Sequence, residues 1–347
     1  MKRAEPTPET AMNQMLRIFK KRGTKALEMA SKEMLQEAVE SKEAREALTY
    51  FMTQFWHDLA RPALLSMVCE AVGGKPEVTT PIGVPMILIS GALSIHDDII
   101  DKTKAKSGYP TVYGKFGEDL ALLVGDALLF KGFFLLNTVT EENVPTKDMS
   151  LIMRIIKDMF FELGDAEAME LLHRGRIDVL PGKYLGIVRK KAADVEAHTR
   201  IGAVLGGGSR EQVESMGYYG RMLGMMIILR DDWIDLMDLE ESRNRMKRES
   251  LPLPILYALQ DPDVNSKLRA ILLHDTLGKR DAQEILETIH NSEAMKLYFN
   301  QMQELATRAI SGLNSAKSAS IKHLKLLVRA TLPPSTEIKE SAKKNCL

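Results

Sequence analysis

Two short acidic segments carry the residues best placed to do chemistry. Asp97, Asp98 and Asp101, and again Asp231, Asp232 and Asp235, follow the pattern Asp-Asp-x-x-Asp. At ordinary aspartate frequency, one such match in a chain this long has a chance probability of roughly 0.07, and two have roughly 0.002. The surroundings are apolar: Ser94-Ile-His-Asp-Asp-Ile-Ile-Asp101 in the first, Ile227-Ile-Leu-Arg-Asp-Asp-Trp-Ile-Asp235 in the second. On a helix, residues i and i+4 share a face and i+1 lies about 100° round it. One turn therefore offers two aligned carboxylates and a flanking third. Like charges at this spacing destabilise a helix by roughly 0.2–0.5 kcal/mol per pair, and burying them unpaired costs more. A solvated acidic patch is the plain alternative, but Ile95, Ile99 and Ile100 flank one cluster and Ile228, Leu229, Trp233 and Ile234 the other. The pattern predicts a cationic partner for each cluster.

Oxygen ligands without His or Cys at fixed spacing favour Mg2+ over zinc. Mg2+ is commonly held by one or two carboxylates, with substrate phosphate filling further positions. Two such helices facing each other would clamp a diphosphate and stabilise the charge that develops as it leaves. If the breaking bond is an allylic C–O bond, the other product is a delocalised carbocation, which needs an apolar pocket that excludes water.

The elements that must position these clusters read as helices. Apolar residues recur at steps of three and four between Gln14 and Leu332, and strand signals are nearly absent. Gly and Pro clusters punctuate the pattern at Gly73-Gly74-Lys75-Pro76, Ser107-Gly108-Tyr109-Pro110, Pro181-Gly182, Gly206-Gly207-Gly208 and Leu251-Pro252-Leu253-Pro254. About ten or more helices follow, with no linker long enough to split the chain. The expected organisation is a loose tail over residues 1–10, one domain over 11–332 and a second loose tail over 333–347. The run Met222-Leu-Gly-Met-Met-Ile-Ile-Leu229 reads either as core filling or as a wall that moulds to a flexible hydrocarbon.

Composition narrows the function. The 347 residues are 45% hydrophobic and 27% charged, and the 47 basic residues balance the 47 acidic ones. That balance argues against nucleic-acid binding. The two cysteines, Cys69 and Cys346, lie far apart, which excludes a disulfide framework and points to a reducing cytoplasm. The N-terminal stretch lacks the apolar core of a secretory signal, and Cys346 is misplaced for a prenylation box. Leu120 to Leu136 stands out as an apolar stretch, but it contains Asp126 and Lys131 and is too short to span a membrane. It reads as a buried helix of a soluble protein.

The motifs together resemble the trans-isoprenyl diphosphate synthases, the polyprenyl synthetase family. The resemblance is strongest over residues 93–129, through His96-Asp-Asp-Ile-Ile-Asp101, Gly108-Tyr-Pro-Thr-Val112, Gly117 and Gly125-Asp-Ala-Leu-Leu129. It extends from about Arg61-Pro62 to Leu259, through Tyr184-Leu185, Lys191 and the second acidic motif. It implies an all-α fold, a single large helical bundle of the isoprenoid synthase type with a central cavity, usually a homodimer. It also implies about three Mg2+ ions, ionisation of an allylic prenyl diphosphate, and head-to-tail addition of isopentenyl diphosphate. Carried over, Asp97, Asp98, Asp101, Asp231 and Asp235 become metal ligands and Asp232 a supporting carboxylate. Lys191 becomes a grip on the allylic diphosphate, and Arg61 matches the last arginine of the family's Gly-Gly-Lys-Arg-x-Arg-Pro motif. Lys106, Arg230 and Lys247 are further candidate substrate-binding cations, with Arg248 beside them. Ala92 and Leu93 lie one turn before the first motif, where bulky residues in the family shorten the product, which favours about C20 or longer.

The departures fall mostly on the other half of that site. Asp58 replaces a lysine, Ser90 the isopentenyl-binding histidine, Ala192 a threonine and Ile227-Ile228 a Phe-Gln pair, while the family's Arg-Arg-Gly reads Lys106-Ser107-Gly108. The metal–diphosphate half is intact and the half for a second, metal-free diphosphate has lost positive charge. The resemblance thus implies chain elongation. Two other readings stay open: a cyclase, lyase or prenyltransferase of the same fold with a different acceptor, and a non-catalytic subunit of a heteromeric synthase. The stretch Glu240 to Ser250 is rich in charge and is a candidate lid.

Overall fold

The computed structural model describes residues 6–106, 108–139, 143–238, 242, 245–246, 249–274, 277–314 and 320–333. Among them the architecture is all-α, with one two-residue hairpin as the exception. The chain opens with α1 (Pro8–Leu35), α2 (Lys42–Tyr50) running into a π-helical turn at Phe51–Phe55, α3 (Ala60–Ala71) and α4 (Thr80–Ile100). The hairpin β1 (Ala105–Lys106) and β2 (Tyr109–Pro110) precedes α5 (Val112–Phe116) and α6 (Glu118–Asn137). Then come α7 (Thr146–Leu171), α8 (Pro181–Lys191), α9 (Ala193–Leu205) and α10 (Arg210–Met237). The C-terminal part holds α11 (Leu253–Ala258), α12 (Pro262–Leu272), α13 (Lys279–His290), α14 (Ala294–Ser311) and α15 (Ile321–Thr331).

Local sequence explains several helix starts. Thr7 and Ser41 accept backbone N–H bonds at the starts of α1 and α2, Pro8 occupies the first position of α1, and Ser209 with Gln212 forms a capping box on α10. The first helix therefore begins inside the stretch expected to be a loose tail.

α4 is the central element. Its apolar residues divide between two clusters: Ile82, Met86 and Ile89 join α1, α3, α9 and α10 in the larger core, while Val84, Ile87, Leu88, Ala92 and Ile95 pack with Phe51, Val124 and Leu128 in a smaller one. Its N-terminal extension included, residues 76–100 are long and apolar enough to cross a membrane, yet most of that length is buried in the protein. α6 packs along α4, and two glycines set how closely. A Cβ at Gly125 would come within 2.6 Å of the His96 ring, and one at Gly132 within 2.6 Å of Ile89. This backbone approach accounts for glycine at 125 beside the first acidic motif.

One expectation needs correction. The Leu120–Leu136 stretch is not buried all round: Leu122, Leu123, Phe130 and Phe134 of α6 are exposed, Phe130 by 76%. Only the face carrying Ala121, Val124, Gly125, Leu128, Gly132 and Leu136 is covered. Hydropathy gives the amount of apolar surface in a helix but does not say whether its own chain covers it.

Candidate active site

Both acidic motifs lie in the last turns of long helices. Asp97 and Asp98 belong to the end of α4, with Asp101 as its C-cap, and Asp231, Asp232 and Asp235 lie near the end of α10. A helix C-terminus carries partial negative charge, so three carboxylates there are doubly unfavourable unless cations compensate. α4 closes in a Schellman arrangement: Thr103 N–H donates to the Asp98 carbonyl at 2.9 Å and Lys102 N–H to the Ile99 carbonyl at 3.3 Å. Lys102 takes the left-handed position, φ 56°, that glycine usually fills.

In both motifs the middle aspartate is the buried one. Asp98 and Asp232 are fully enclosed, whereas Asp97 and Asp235 are about a third exposed and Asp231 is open at 59%. The cations predicted from spacing are present. Lys106, presented by the hairpin, lies 2.7 Å from Asp98 and 3.4 Å from Asp97. Arg174 donates to Asp101 at 2.5 Å. Arg245 pairs with Asp232, with Asp235 at 2.5 Å and with Glu249 at 3.4 Å. The Tyr184 hydroxyl also donates to Asp232. Burial pushes the Asp98 carboxyl up to about 6, against the pull of Lys106, and raises Asp101 and Asp232 as well.

The two clusters share one electrostatic field. Glu170 of α7 raises both Asp101 and Asp232, and Asp101 raises Glu249, so α4, α7, α10 and the segment after α10 converge. Lys191, at the end of α8, pairs with Glu170 and lies 3.0 Å from Glu167. Burial opposes its charge, but Glu170 and Glu167, with Asp97 nearby, raise its pKa and keep it protonated. Burial in turn lifts Glu167 and Glu249 to about 7.

Arg61 sits apart from this group. Its Nε donates to Asp194 at 2.8 Å and its Nη1 to Asp58 at 3.2 Å. Asp58 accepts the Ala60 and Arg61 backbone N–H groups, both at 3.1 Å, so its charge caps the N-terminus of α3. Although burial alone would raise it, Asp194 is held well below the usual carboxylate range by Arg61 and His198. On α4, Ser90 is buried and its Oγ is unpartnered. Trp56 stacks on Phe51 at 5.4 Å, and its buried Nε1 is also unpartnered. Gly91 admits both rings, since a Cβ there would lie 2.9 Å from Phe51 and 3.5 Å from the Trp56 nitrogen.

The other candidates are dispersed. Arg230 faces Asp231 at 3.9 Å. Ala92 belongs to the smaller apolar cluster and Leu93 packs against the larger, so these two point to different sides of α4. Lys247 and Arg248 lie outside the described residues, as does much of the 240–250 stretch. In the Met222–Leu229 run, Met222, Leu223, Met225, Met226 and Leu229 are buried in the core and Ile227 and Ile228 are partly exposed. Sequence reasoning missed Arg174, Glu167, Glu170, Arg245 and Glu249, because each is tied to the site by tertiary pairing and none by a local motif.

Residues 42–289 match the polyprenyl synthetase family model. The chain belongs to the polyprenyl synthetase family. It is accordingly a prenyl-transferring enzyme of isoprenoid biosynthesis. It is 29% identical over 235 residues to a short chain isoprenyl diphosphate synthase of Methanothermobacter thermautotrophicus, covering 66% of this chain and 70% of that one. It is 27% identical over 289 residues to a geranylgeranyl diphosphate synthase of Sulfolobus acidocaldarius, covering 78% and 85%. Among solved structures, a geranylgeranyl pyrophosphate synthetase from Pyrococcus horikoshii matches with a TM-score of 0.80 at 22% identity, over 92% of this chain and 97% of that one. A polyprenyl synthetase from Streptomyces coelicolor matches with a TM-score of 0.79 at 21% identity, over 93% and 100%. These structures establish the all-α isoprenoid synthase fold.

Proposed function

We propose that this polyprenyl synthetase ionises an allylic prenyl diphosphate between its two acidic clusters and elongates it with isopentenyl diphosphate, giving a product of about C20 or longer. The observation that carries the donor half is that α8 joins the two motifs: its Tyr184 bonds Asp232 of the second, and its Lys191 pairs with Glu170 and acts on Asp97 and Asp101 of the first. Asp97, Asp101, Asp231 and Asp235 keep their carboxylates at least partly accessible. The donor set fits Mg2+. It is all oxygen, the hard donor type that Mg2+ takes and shares with phosphate. When bound, Mg2+ supplies charge neutralisation for the departing diphosphate.

The chain's own residues do the rest. Asp97, Asp101, Asp231 and Asp235 would hold the ions, with Asp98 and Asp232 steadying them from the buried side. Lys191 binds the diphosphate as its charge grows, releasing Glu167 and Glu170. Ile227 and Ile228 of α10 exclude water from the hydrocarbon side. The relatives' names, which include geranylgeranyl diphosphate synthases, support the C20 class.

A second reading, with an acceptor that is not a diphosphate, is favoured by one observation. The Arg61 guanidinium is already matched by two carboxylates, Asp58 and Asp194. Trp56 Nε1, which lies against Gly91 of α4, and Ser90 Oγ beside it in sequence are uncharged hydrogen-bonding groups without a partner. The deciding experiment is diphosphate release with Mg2+ and allylic diphosphates from C5 to C25, with and without isopentenyl diphosphate. Release that depends on it, with longer prenyl diphosphates formed, supports elongation. Release without it, with hydrocarbon or alcohol formed, supports the second reading. No release under either condition rejects the donor-half assignment.

The bare face of α6 supports a homodimer. Leu123, Phe130 and Phe134 follow a helical stripe whose exposure is unusual for a monomer. Sedimentation should show a dimer that Phe130→Glu dissociates, and a monomeric parent protein would refute it.

A further inference from the structure

Arg174 has no place in any sequence motif, yet it reaches the first acidic cluster from a different part of the chain. After α7 the backbone turns, with His173 N–H bonded to the Glu170 carbonyl at 2.8 Å and Arg176 N–H to the His173 carbonyl at 3.1 Å. Gly175 holds φ 65°, a left-handed conformation open to glycine. This turn directs Arg174 back onto the end of α4, where its Nη2 donates to the Ile100 carbonyl at 3.0 Å and to Asp101 at 2.5 Å. The side chain is 29% exposed, so it stands at the edge of the site.

The guanidinium is under-used. It has five N–H donors in a rigid fork, and among the described residues only Nη2 is engaged. Its Nε is buried and has no acceptor, an arrangement with a desolvation penalty. A planar fork with spare donors matches an anion with several oxygens, such as a phosphate group. Its neighbourhood selects the same class. Asp101 also feels Lys191, so the two cations approach the same carboxylate from the turn after α7 and from α8.

Resting on the donor-half reading above, we propose that Arg174 is a diphosphate-binding residue. In the free protein it neutralises Asp101. When metal and diphosphate enter, it gives up that carboxylate and turns its free donors to phosphate oxygens. A purely structural role, capping the end of α4, is the competing account.

Calorimetric titration of the full chain with inorganic pyrophosphate and Mg2+ separates the two, using Arg174→Gln and Arg174→Lys. Manganese binding without pyrophosphate and thermal melting are measured alongside. The proposal expects Arg174→Gln to lose about tenfold or more in pyrophosphate affinity and Arg174→Lys to fall between it and the parent. Manganese affinity should be unchanged or higher in both, because the competing cation has been weakened or removed. Unchanged pyrophosphate affinity overturns the proposal, as does a parallel loss of manganese affinity, which would mark a collapsed helix end. A parent protein that binds no pyrophosphate with Mg2+ rejects the donor-half reading itself, and this inference with it.

Discussion

The two acidic clusters share a pattern but are compensated differently. On α4, the cations are Lys106 from a surface hairpin, 42% exposed, and Arg174 from the turn after α7. On α10, one nearly buried guanidinium, Arg245, serves Asp232, Asp235 and Glu249 together, and Tyr184 adds a hydrogen bond. The first helix ends in a left-handed residue at Lys102, whereas the second runs into extended backbone at Asp238. The same five-residue pattern can thus rest on a dispersed, solvent-accessible set of cations or chiefly on one buried residue, with Arg230 left to face the open Asp231. The difference lies in how much free energy each cation carries, because ion pairing is weak in water and strong once desolvated.

Four measurements would break or sharpen this comparison. The largest expected effect is catalytic, and it should be the same for both clusters. Asp97→Ala and Asp231→Ala should each lower Mg2+-dependent diphosphate release by about a thousandfold, comparable to removing a key transition-state contact. Circular dichroism should show both variants folded, and normal turnover in both would reject the clamp. Next comes stability, where the clusters should part company. Arg245→Met leaves three carboxylates without their shared cation and should destabilise the ligand-free protein by about 3 kcal/mol. Lys106→Met should cost less, about 1–2 kcal/mol, because the lysine and Asp97 are partly in water while the enclosed Asp98, which loses its partner at 2.7 Å, can take up a proton. Equal losses in denaturant titrations would erase the distinction.

The third measurement is pH dependence. Burial raises Asp98 to about 6 and Glu167 and Glu249 to about 7. A carboxyl whose folded pKa exceeds its unfolded value favours folding when neutral, and that contribution is lost as pH rises through the folded pKa. Lowering pH from 8 towards 6 should therefore raise the melting temperature of the ligand-free protein, while protonation weakens binding of Mg2+ with pyrophosphate. A melting temperature that falls over that range would contradict the burial of these groups. The smallest effect belongs to the helix end. Lys102→Gly relieves a left-handed residue and should stabilise the protein by up to about 1 kcal/mol, read from the denaturant midpoint.

Much of this protein was legible before its structure. Apolar spacing gave the all-α class, and the two Asp-Asp-x-x-Asp patterns in apolar helices located the clusters and demanded compensating cations. The residues of 93–129 were enough to suggest the family, and Gly125 now has a physical reason in the His96 ring beside it. The identity of the cations was not legible, apart from Lys106 and Lys191, because Arg174 lies 73 residues from Asp101 and no local rule couples them. Nor could sequence foresee that Arg61 would be neutralised by Asp194, which lies 133 residues away, as well as by Asp58.

Sequence by itself determined which residues could form helices and which carboxylates stand one turn apart, since both follow from periodicities within a single element. Only the tertiary structure decided that the middle aspartates are buried, that Arg245 serves three carboxylates, and that one face of α6 is bare. Those outcomes depend on which distant surfaces meet, and with them on which charges lose their water.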